Sequence, residues 1–498
     1  MFNSGRLTPQ VDSRTAEPNS VNEYGHVDMK IEEQFRPFAE KMEQDGLLPV
    51  VIDTFRYYYT LLVRGEAGLI SKADIDPVAK DEIADSESLT GLDEAGQTAL
   101  EKLVVIKLNG GLGTSMGLSR AKSLLEVKEG LTFLDIIARQ ILVHRKKRGG
   151  DFPVIFMNSF NTEADTRKAL HPYGGLSTGL PLTFVQHRFP KVLREGLTPV
   201  DWPSNPEMEW NPPGHGDIYT ALVTSGMLRR LIGAGIRYAF VSNSDNLGAV
   251  VDESILGYFA QKGFPFMMEV TDRTEADSKG GHLARLKNGR LTLREIAQCP
   301  EDELDAFQDV HLYKYFNTNT IWINLLALER LLEARNNIIH LPMIRNPKTV
   351  DPKDDSTPGV YQIETAMGSA ISVFEGASAI RVPRTRFAPV KKCHDLLGLW
   401  SDCYVLTDDY RVIQNPARKV GTLILKLDSR YYKKINQLRA RFPRGTPSLV
   451  ECKSLEVKGD ILFGQNVVIR GNILIWNQAE NQATIPDGSL IEKDIAFT

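Results

Sequence analysis

The sequence predicts an α/β protein whose core is a mainly parallel sheet, preceded by a helical region and followed by a β-helix. Three observations lead there. From Lys102 to about Pro383, short apolar runs alternate with amphipathic stretches, the pattern of a sheet wound with right-handed crossovers. The apolar run Val104 to Leu108 stops abruptly at a turn holding Gly110, Gly111, Gly113 and Gly117. Towards the C-terminus, apolar residues return every six positions. Leu455, Ile461, Val467 and Ile473 form one register, and Val457, Phe463, Ile469 and Ile475 a second. A hexad repeat implies short strands stacked coil upon coil.

Each element follows from its local pattern. Residues 1–28 are polar and read as a disordered tail. Residues 29–100 form an N-terminal helical region. Ile31, Phe35 and Phe38, then Val51, Phe55, Tyr58, Tyr59 and Leu62, recur at helical spacing. The interruption Asp45-Gly-Leu-Leu-Pro49 divides them into two helices. The α/β domain spans 101–405. Its expected strands are Leu103–Leu108, Pro153–Met157, Leu182–Gln186, Tyr238–Ser242, Phe266–Val270 and Thr320–Ile323. Its expected helices are Thr132–Lys147, Glu163–Leu170, Asp217–Ile232, Glu253–Gln261, Leu326–Glu333 and Gln362–Phe374. Thr292-Leu-Arg-Glu-Ile-Ala297 also looks helical. Connector helices are expected over 406–445. The β-helix takes 446–498, with turns at Lys458-Gly-Asp, Gly464-Gln-Asn and Arg470-Gly-Asn.

Bulk properties exclude several function classes. The 498 residues allow about two or three domains. A formal net charge of −4 offers no general attraction to nucleic acid or acidic membranes. Cys299, Cys393, Cys403 and Cys452 contain no C-x-x-C pair and no zinc spacing. They read as reduced thiols in a cytoplasmic protein. No apolar run reaches membrane-spanning length, and no signal peptide opens the chain.

The glycine turn carries the first chemical signal. Glycines permit positive φ and let backbone N–H groups close on phosphate oxygens, and Lys122 adds a full charge nearby. The spacing fits neither the dinucleotide fingerprint nor the phosphate loop, in which glycine precedes Lys-Ser; here Ala121 does. A plain structural turn is the alternative. Asp245, just past the strand Tyr238–Ser242, stands where open α/β sheets bind ligands. A carboxylate there can hold Mg²⁺ or simply bond its own turn. In Pro212-Pro-Gly-His-Gly-Asp217, Asp217 can cap the following helix and His215 would face a cleft.

Separated motifs then fall into one order. Lys107-Leu-Asn-Gly-Gly-Leu-Gly-Thr-Ser-Met-Gly117 is followed by Phe184-Val-Gln-His-Arg-Phe-Pro190 and Asn211-Pro-Pro-Gly-His-Gly-Asp-Ile-Tyr219. Ser242-Asn-Ser-Asp-Asn-Leu-Gly-Ala249, Phe316-Asn-Thr-Asn-Thr-Ile-Trp322, Gln362-Ile-Glu-Thr-Ala-Met-Gly368 and Arg386-Phe-Ala-Pro-Val-Lys391 come next. Over about residues 29 to 495 the chain resembles the eukaryotic-type UDP-sugar pyrophosphorylase family. The resemblance implies a nucleotidyltransferase-type, Rossmann-like mixed sheet with helices on both faces and a C-terminal left-handed β-helix. It implies reversible, Mg²⁺-dependent transfer of a uridylyl group from UTP to glucose 1-phosphate, giving UDP-glucose and pyrophosphate.

The same resemblance assigns roles. Lys122, Lys391 and Asp245 would be catalytic, with Asp245 also the metal ligand. Leu108, Asn109, Gly110, Gly111, Gln186, Gly214 and Asn243 would bind the nucleotide. Gln186 suits an imide edge, since one amide offers both donor and acceptor. His215, Gly281, Glu295, Asn317 and Asn319 would bind the sugar phosphate. The family's Gly-Pro-Lys is Arg120-Ala-Lys122 here, and its Asn-Ile-Asp-Asn is Asn243-Ser-Asp-Asn246. The end at Ile495-Ala-Phe-Thr498 is shorter than in animal-type relatives, so a monomer or small homo-oligomer through the C-terminal domain is expected. Two alternatives stay open. One is a sibling enzyme for galactose or N-acetylhexosamine 1-phosphate, against which Ser115 stands where such enzymes carry a basic residue. The other is a non-catalytic nucleotide-sensing scaffold.

Overall fold

The structure, a computed structural model, describes residues 29–66 and 68–497. The expected tail, 1–28, lies outside the described residues. The described residues open with two helices, α1 (Met29–Gln44) and α2 (Pro49–Val63). Pro49 at the first turn of α2 loses nothing, because its missing N–H would have had no helical partner. Ile31, Phe35, Phe38 and Met42 form the buried face of α1. Phe35 and Phe38 meet Phe55 and Tyr59 of α2, with ring centroids 4.9–6.0 Å apart. This aromatic cluster rests on Phe189, Trp210, Met343 and Ile363 of the α/β domain.

The central sheet is mixed. Its main path uses β1 (Ala84–Asp85), β2 (Leu103–Asn109), β3 (Val154–Asn158), β4 (Thr183–Val185), β5 (Tyr238–Asn243), β6 (Phe266–Asp272), β7 (Tyr315–Asn324) and β8 (Ser378–Arg381). The spatial order is β1-β8-β6-β7-β5-β2-β3-β4. β7 runs antiparallel to both its neighbours, and the other pairs on this path are parallel. Every residue of β2 is buried, as a strand covered on both faces requires. Val105, Phe240 and Trp322 pack with helices Phe133–Arg148 and Glu253–Lys262 on one face. Val104, Ile106 and Val241 pack with Ile218–Thr224, Met227–Gly233 and Leu325–Glu333 on the other.

Several expected elements need correction. Gln362–Phe374 is not a helix. Gly359–Thr365 is a strand paired antiparallel with Met343–Thr349 and with Val192–Leu193, and a 3₁₀ turn covers Met367–Ser372. Strand partners distant in sequence overrode the local helical spacing. The helical-looking stretch at Thr292 is the strand Leu291–Arg294, hairpinned with His282–Leu286 and wholly buried. The helix expected over Asp217–Ile232 breaks into two at Gly226, whose φ is +68°. The stretch 406–445 is only partly helical. Ser429–Tyr432 and Ile435–Arg441 are helices, but Val412–Gln414 and Ile424–Leu427 are strands.

The C-terminal repeat builds three small parallel sheets. Ile424–Leu427, Cys452–Lys458, Gly471–Asn477 and Ile495–Phe497 form one. Ile461–Phe463 pairs with Ala483–Ile485, and Val468–Ile469 with Leu490–Ile491. Leu455 stacks on Ile473 and Val457 on Ile475. These residues therefore meet their partners three hexads on, not one, while Ile461 pairs with Ala483 and Val468 with Leu490.

Among the described residues, no helix is long and apolar enough to cross a membrane. Phe38→Ala removes a side chain with no exposed surface from the aromatic cluster and should cost about 3–5 kcal/mol. A urea titration should show the unfolding midpoint falling accordingly; an unchanged midpoint would mean that the cluster is not a core.

Candidate active site

The site is assembled at the carboxyl ends of β2 and β5. These strands pair in parallel, Leu108 beside Asn243, so the two turns that follow must emerge side by side. The first is the glycine turn. Gly113 and Gly117 adopt φ of +65° and +78°, the left-handed region that other residues enter at a cost. The turn folds back so that the Lys122 N–H reaches the Gly111 carbonyl at 2.9 Å. Lys122 Nζ then meets Asp245 Oδ2 at 2.6 Å, with side chains only 15% and 23% exposed. The predicted cation and the predicted carboxylate are thus in direct contact.

The turn's first residues are held by side chains that sequence reasoning missed. Thr162 Oγ1 donates to the Asn109 carbonyl at 2.8 Å and Ser159 Oγ to the Gly110 carbonyl at 2.9 Å. Ser244 Oγ donates to the Leu108 carbonyl at 2.8 Å. The Asn109 amide is spent on Asn158 and Thr166. Leu108 and Asn109 therefore fix the turn from below. Gln186 lies against the turn: a Cβ on Gly110 would stand 2.8 Å from its Nε2. Next to it, His187 Nδ1 meets Asp217 Oδ1 at 2.9 Å, and the His187 N–H donates to Oδ2 at 2.7 Å. Burial opposes the charged imidazole, yet the Asp217 carboxylate outweighs it and raises the His187 pKa. Asp217 makes no side-chain cap to the helix it precedes, which corrects the capping role expected for it. Its carboxylate instead joins the segment of Gln186 to that of His215.

His215 begins the short turn ahead of that helix. The Met367 N–H donates to His215 Nδ1 at 2.9 Å, so in the neutral ring the proton is on Nε2. Burial, assisted by the Lys391 charge, lowers its pKa to about 4. His215 is therefore a neutral donor at physiological pH. Gly214, at φ +79°, and Gly216 permit a close approach, but to the strand Gly359–Thr365: a Cβ on either would collide with Thr365.

The residues expected to bind the sugar phosphate, His215 apart, gather around the hairpin and β7. The Asn317 N–H donates to the Gly281 carbonyl at 3.1 Å. A Cβ on Gly281 would lie 2.5 Å from Glu295 Oε1. Asn317 Nδ2 donates to Asn319 Oδ1 at 2.9 Å, and the Asn319 N–H returns to Asn317 Oδ1 at 2.9 Å. Here β7 bulges against β6: Glu269 faces Thr320 while Val270 faces Asn317. Asn319, at φ +54°, absorbs the irregularity. Burial raises the Glu295 pKa, with Lys391 and Asn317 opposing. Glu295 is not the exposed helical charge its sequence suggests. Lys391 acts electrostatically on both His215 and Glu295, and the Val390 N–H beside it bonds the Asp245 carbonyl at 3.2 Å. Asn243 ends β5 half-buried at the same edge.

Sequence reasoning also missed Lys107. It is buried one residue before Leu108, donating to Ser242 Oγ at 2.7 Å and to the Ala249 carbonyl at 2.8 Å. Burial and Arg386 lower its pKa to about 7. Only its place inside an apolar strand marked it. Among the described residues no group of three His, Cys, Asp or Glu could hold a metal. Asp245 is a lone carboxylate, which fits a cation that takes most of its oxygens from phosphates and water.

The family model described as UTP–glucose-1-phosphate uridylyltransferase matches residues 52–470. The chain belongs to this family. It is 45% identical to the UTP–glucose-1-phosphate uridylyltransferase of Hordeum vulgare over 405 residues, 81% of this chain and 83% of the relative. With its Saccharomyces cerevisiae counterpart it shares 42% identity over 394 residues, covering 79% and 77%. The solved UDP-glucose pyrophosphorylase of Leishmania major superposes with a TM-score of 0.87 at 42% identity, covering 93% of this chain and 99% of that one.

A stability prediction follows from His215. Its folded pKa lies below the ordinary 6.5, so between about pH 4 and 6.5 the unfolded chain binds more protons than the folded one. This contribution is full above pH 6.5 and is lost as pH falls through that window. Melting temperatures of wild type and His215→Gln should converge on acidification from pH 6.5 to 4. Parallel curves would show that His215 is not held neutral.

Proposed function

We propose that the end of the sheet between the glycine turn, Asp245 and Lys391 carries out the family's reaction by direct in-line displacement. Family membership supplies the overall chemistry: UTP and glucose 1-phosphate give UDP-glucose and pyrophosphate. The single observation that carries the mechanism is the Lys122–Asp245 contact at the glycine turn. A phosphate oxygen of glucose 1-phosphate attacks the α-phosphorus of UTP. The new P–O bond forms as the bond to the bridging oxygen breaks, and pyrophosphate departs with that electron pair. The attacking oxygen is already deprotonated at neutral pH, so no protein base is required.

The chain's own groups then have two tasks. Lys122 and Lys391 bring charge against two anions that repel each other and against the charge that develops on the transferring phosphoryl group. Neutral His215 offers Nε2–H to the sugar phosphate without adding to the cationic load. The close fit of Gln186 to Gly110 supports a uracil pocket lined by Leu108, Asn109, Gly110 and Gly111, with Gly214 and Asn243 at its edge. The cluster of Gly281, Glu295, Asn317 and Asn319 supports a hexose pocket. Asp245 would hold Mg²⁺, which when bound offsets phosphate charge. The reaction runs in both directions.

Four buried free cysteines support a reducing, cytoplasmic setting. The eighteen-residue interval between stacked residues such as Leu455 and Ile473 supports a left-handed β-helix. The chain is a monomer or a small homo-oligomer through that domain.

Pyrophosphate release should require UTP, Mg²⁺ and glucose 1-phosphate together, and galactose or N-acetylhexosamine 1-phosphates should be poor substitutes. Preference for another sugar phosphate would transfer the proposal to a sibling activity, and no release with any would leave a nucleotide-sensing scaffold. Lys391→Ala should lower kcat by about 10²–10³, the scale for one preorganised stabiliser. A folded Lys391→Ala protein with unchanged kcat would remove Lys391 from this role.

A further inference from the structure

We infer that Asn246 is a positioning residue that sets Lys391 beside Asp245. The inference rests on the role proposed for Lys391. Asn246 is 2% exposed, and its amide is spent on the segment that leads to Lys391. Its Nδ2 donates to the Arg386 carbonyl at 3.1 Å. Its Oδ1 accepts the Ala388 N–H at 3.0 Å and the Gly248 N–H at 3.2 Å. One side chain thus imitates the edge of a strand, donating to and accepting from the backbone of Arg386–Ala388. The main chain continues the pairing: Asn246 bridges Pro389, and Asp245 accepts the Val390 N–H at 3.2 Å.

The segment has no free backbone donor with which to drift. Pro389 carries no N–H, and the N–H groups of Ala388 and Val390 both go to the Asp245–Asn246 turn. Those of Lys391 and Lys392 both go to Asp395 Oδ2, each at 2.8 Å. Its start is anchored as firmly. The Arg386 guanidinium makes two bonds to Glu269, at 2.9 and 2.7 Å. Glu269 has no exposed surface and also accepts the Trp322 indole N–H at 3.0 Å. A Cβ on Gly248 would stand 2.6 Å from the Thr385 carbonyl, so turn and segment are in contact along their length. Lys122 reaches Asp245 from the glycine turn; Asn246 brings Lys391 to the same turn from the opposite end of the chain. Misplacing such a group by about 1 Å can cost on the order of 10²-fold in rate.

A double-mutant cycle in the full chain tests this. Asn246→Ala should lower kcat at least about tenfold in the wild-type background and less than about twofold in Lys391→Ala, because the residue acts through that lysine. Asn246→Asp retains the two accepted bonds and loses the one to Arg386. It should fold, lose less kcat than Asn246→Ala, and show the same dependence on Lys391. Equal losses in both backgrounds, or wild-type kcat in both Asn246 variants, would overturn the inference while leaving the role of Lys391 intact. Full kcat in Lys391→Ala would overturn both together. If Asn246→Ala does not fold, the Asn246→Asp cycle alone decides.

Discussion

The parallel pairing of β2 with β5 is the constraint on which the rest of the site depends. Leu108 lies beside Asn243 in that register, so the glycine turn and the Asp245 turn leave the sheet at the same edge. No loop flexibility is needed to bring Lys122 to Asp245; the ladder has already done it. A slip of one residue would turn the alternating side chains of β2 to opposite faces and move Lys107 out of its buried bonds with Ser242 and Ala249. The two hydrophobic layers make that slip costly, because Val105 belongs to one and Val104 and Ile106 to the other.

Burial sets the charge states at this edge. His215 and Glu295 both feel the charge of Lys391, which is itself exposed, and their own withdrawal from solvent weakens the screening. Burial, assisted by the Lys391 charge, keeps His215 neutral, and Lys391 moderates the raised pKa of Glu295. The arrangement concentrates positive charge on two lysines and leaves the imidazole as an uncharged donor. His187 is the opposite case, since Asp217 stabilises its charged form against burial. His187, bonded to Asp217, and His215, two residues before it, are thus shifted in opposite directions by their surroundings.

Much of this was legible in the sequence, unevenly. The strands at Leu103, Pro153, Tyr238 and Phe266 are long apolar runs buried on both faces, which no other element explains as well. The strand Gly359–Thr365 and the hairpin strand Leu291–Arg294 carry helical spacing, and only their antiparallel pairing with Met343–Thr349 and His282–Leu286, invisible to a local pattern, makes them strands. Only the apolar half of β7, Thr320–Ile323, has a strand's sequence pattern; its polar half holds Asn317 and Asn319. The hexad repeat announced stacking but not the stacking partner, since one spacing serves a partner one, two or three hexads away equally well.

By itself the sequence determined the α/β core, the glycine turn that ends its first buried strand, the lone aspartate at the end of another, and the family. These are local patterns: apolar period, glycine spacing and motif order survive without any knowledge of contacts. Only the tertiary structure decided which charged residues meet, which histidine is neutral, and that the Asp217 carboxylate serves His187 rather than a helix end. Ion pairs and pKa values depend on distances of a few ångströms and on burial, and neither exists until segments more than a hundred residues apart, such as those of Lys122 and Asp245, have packed together.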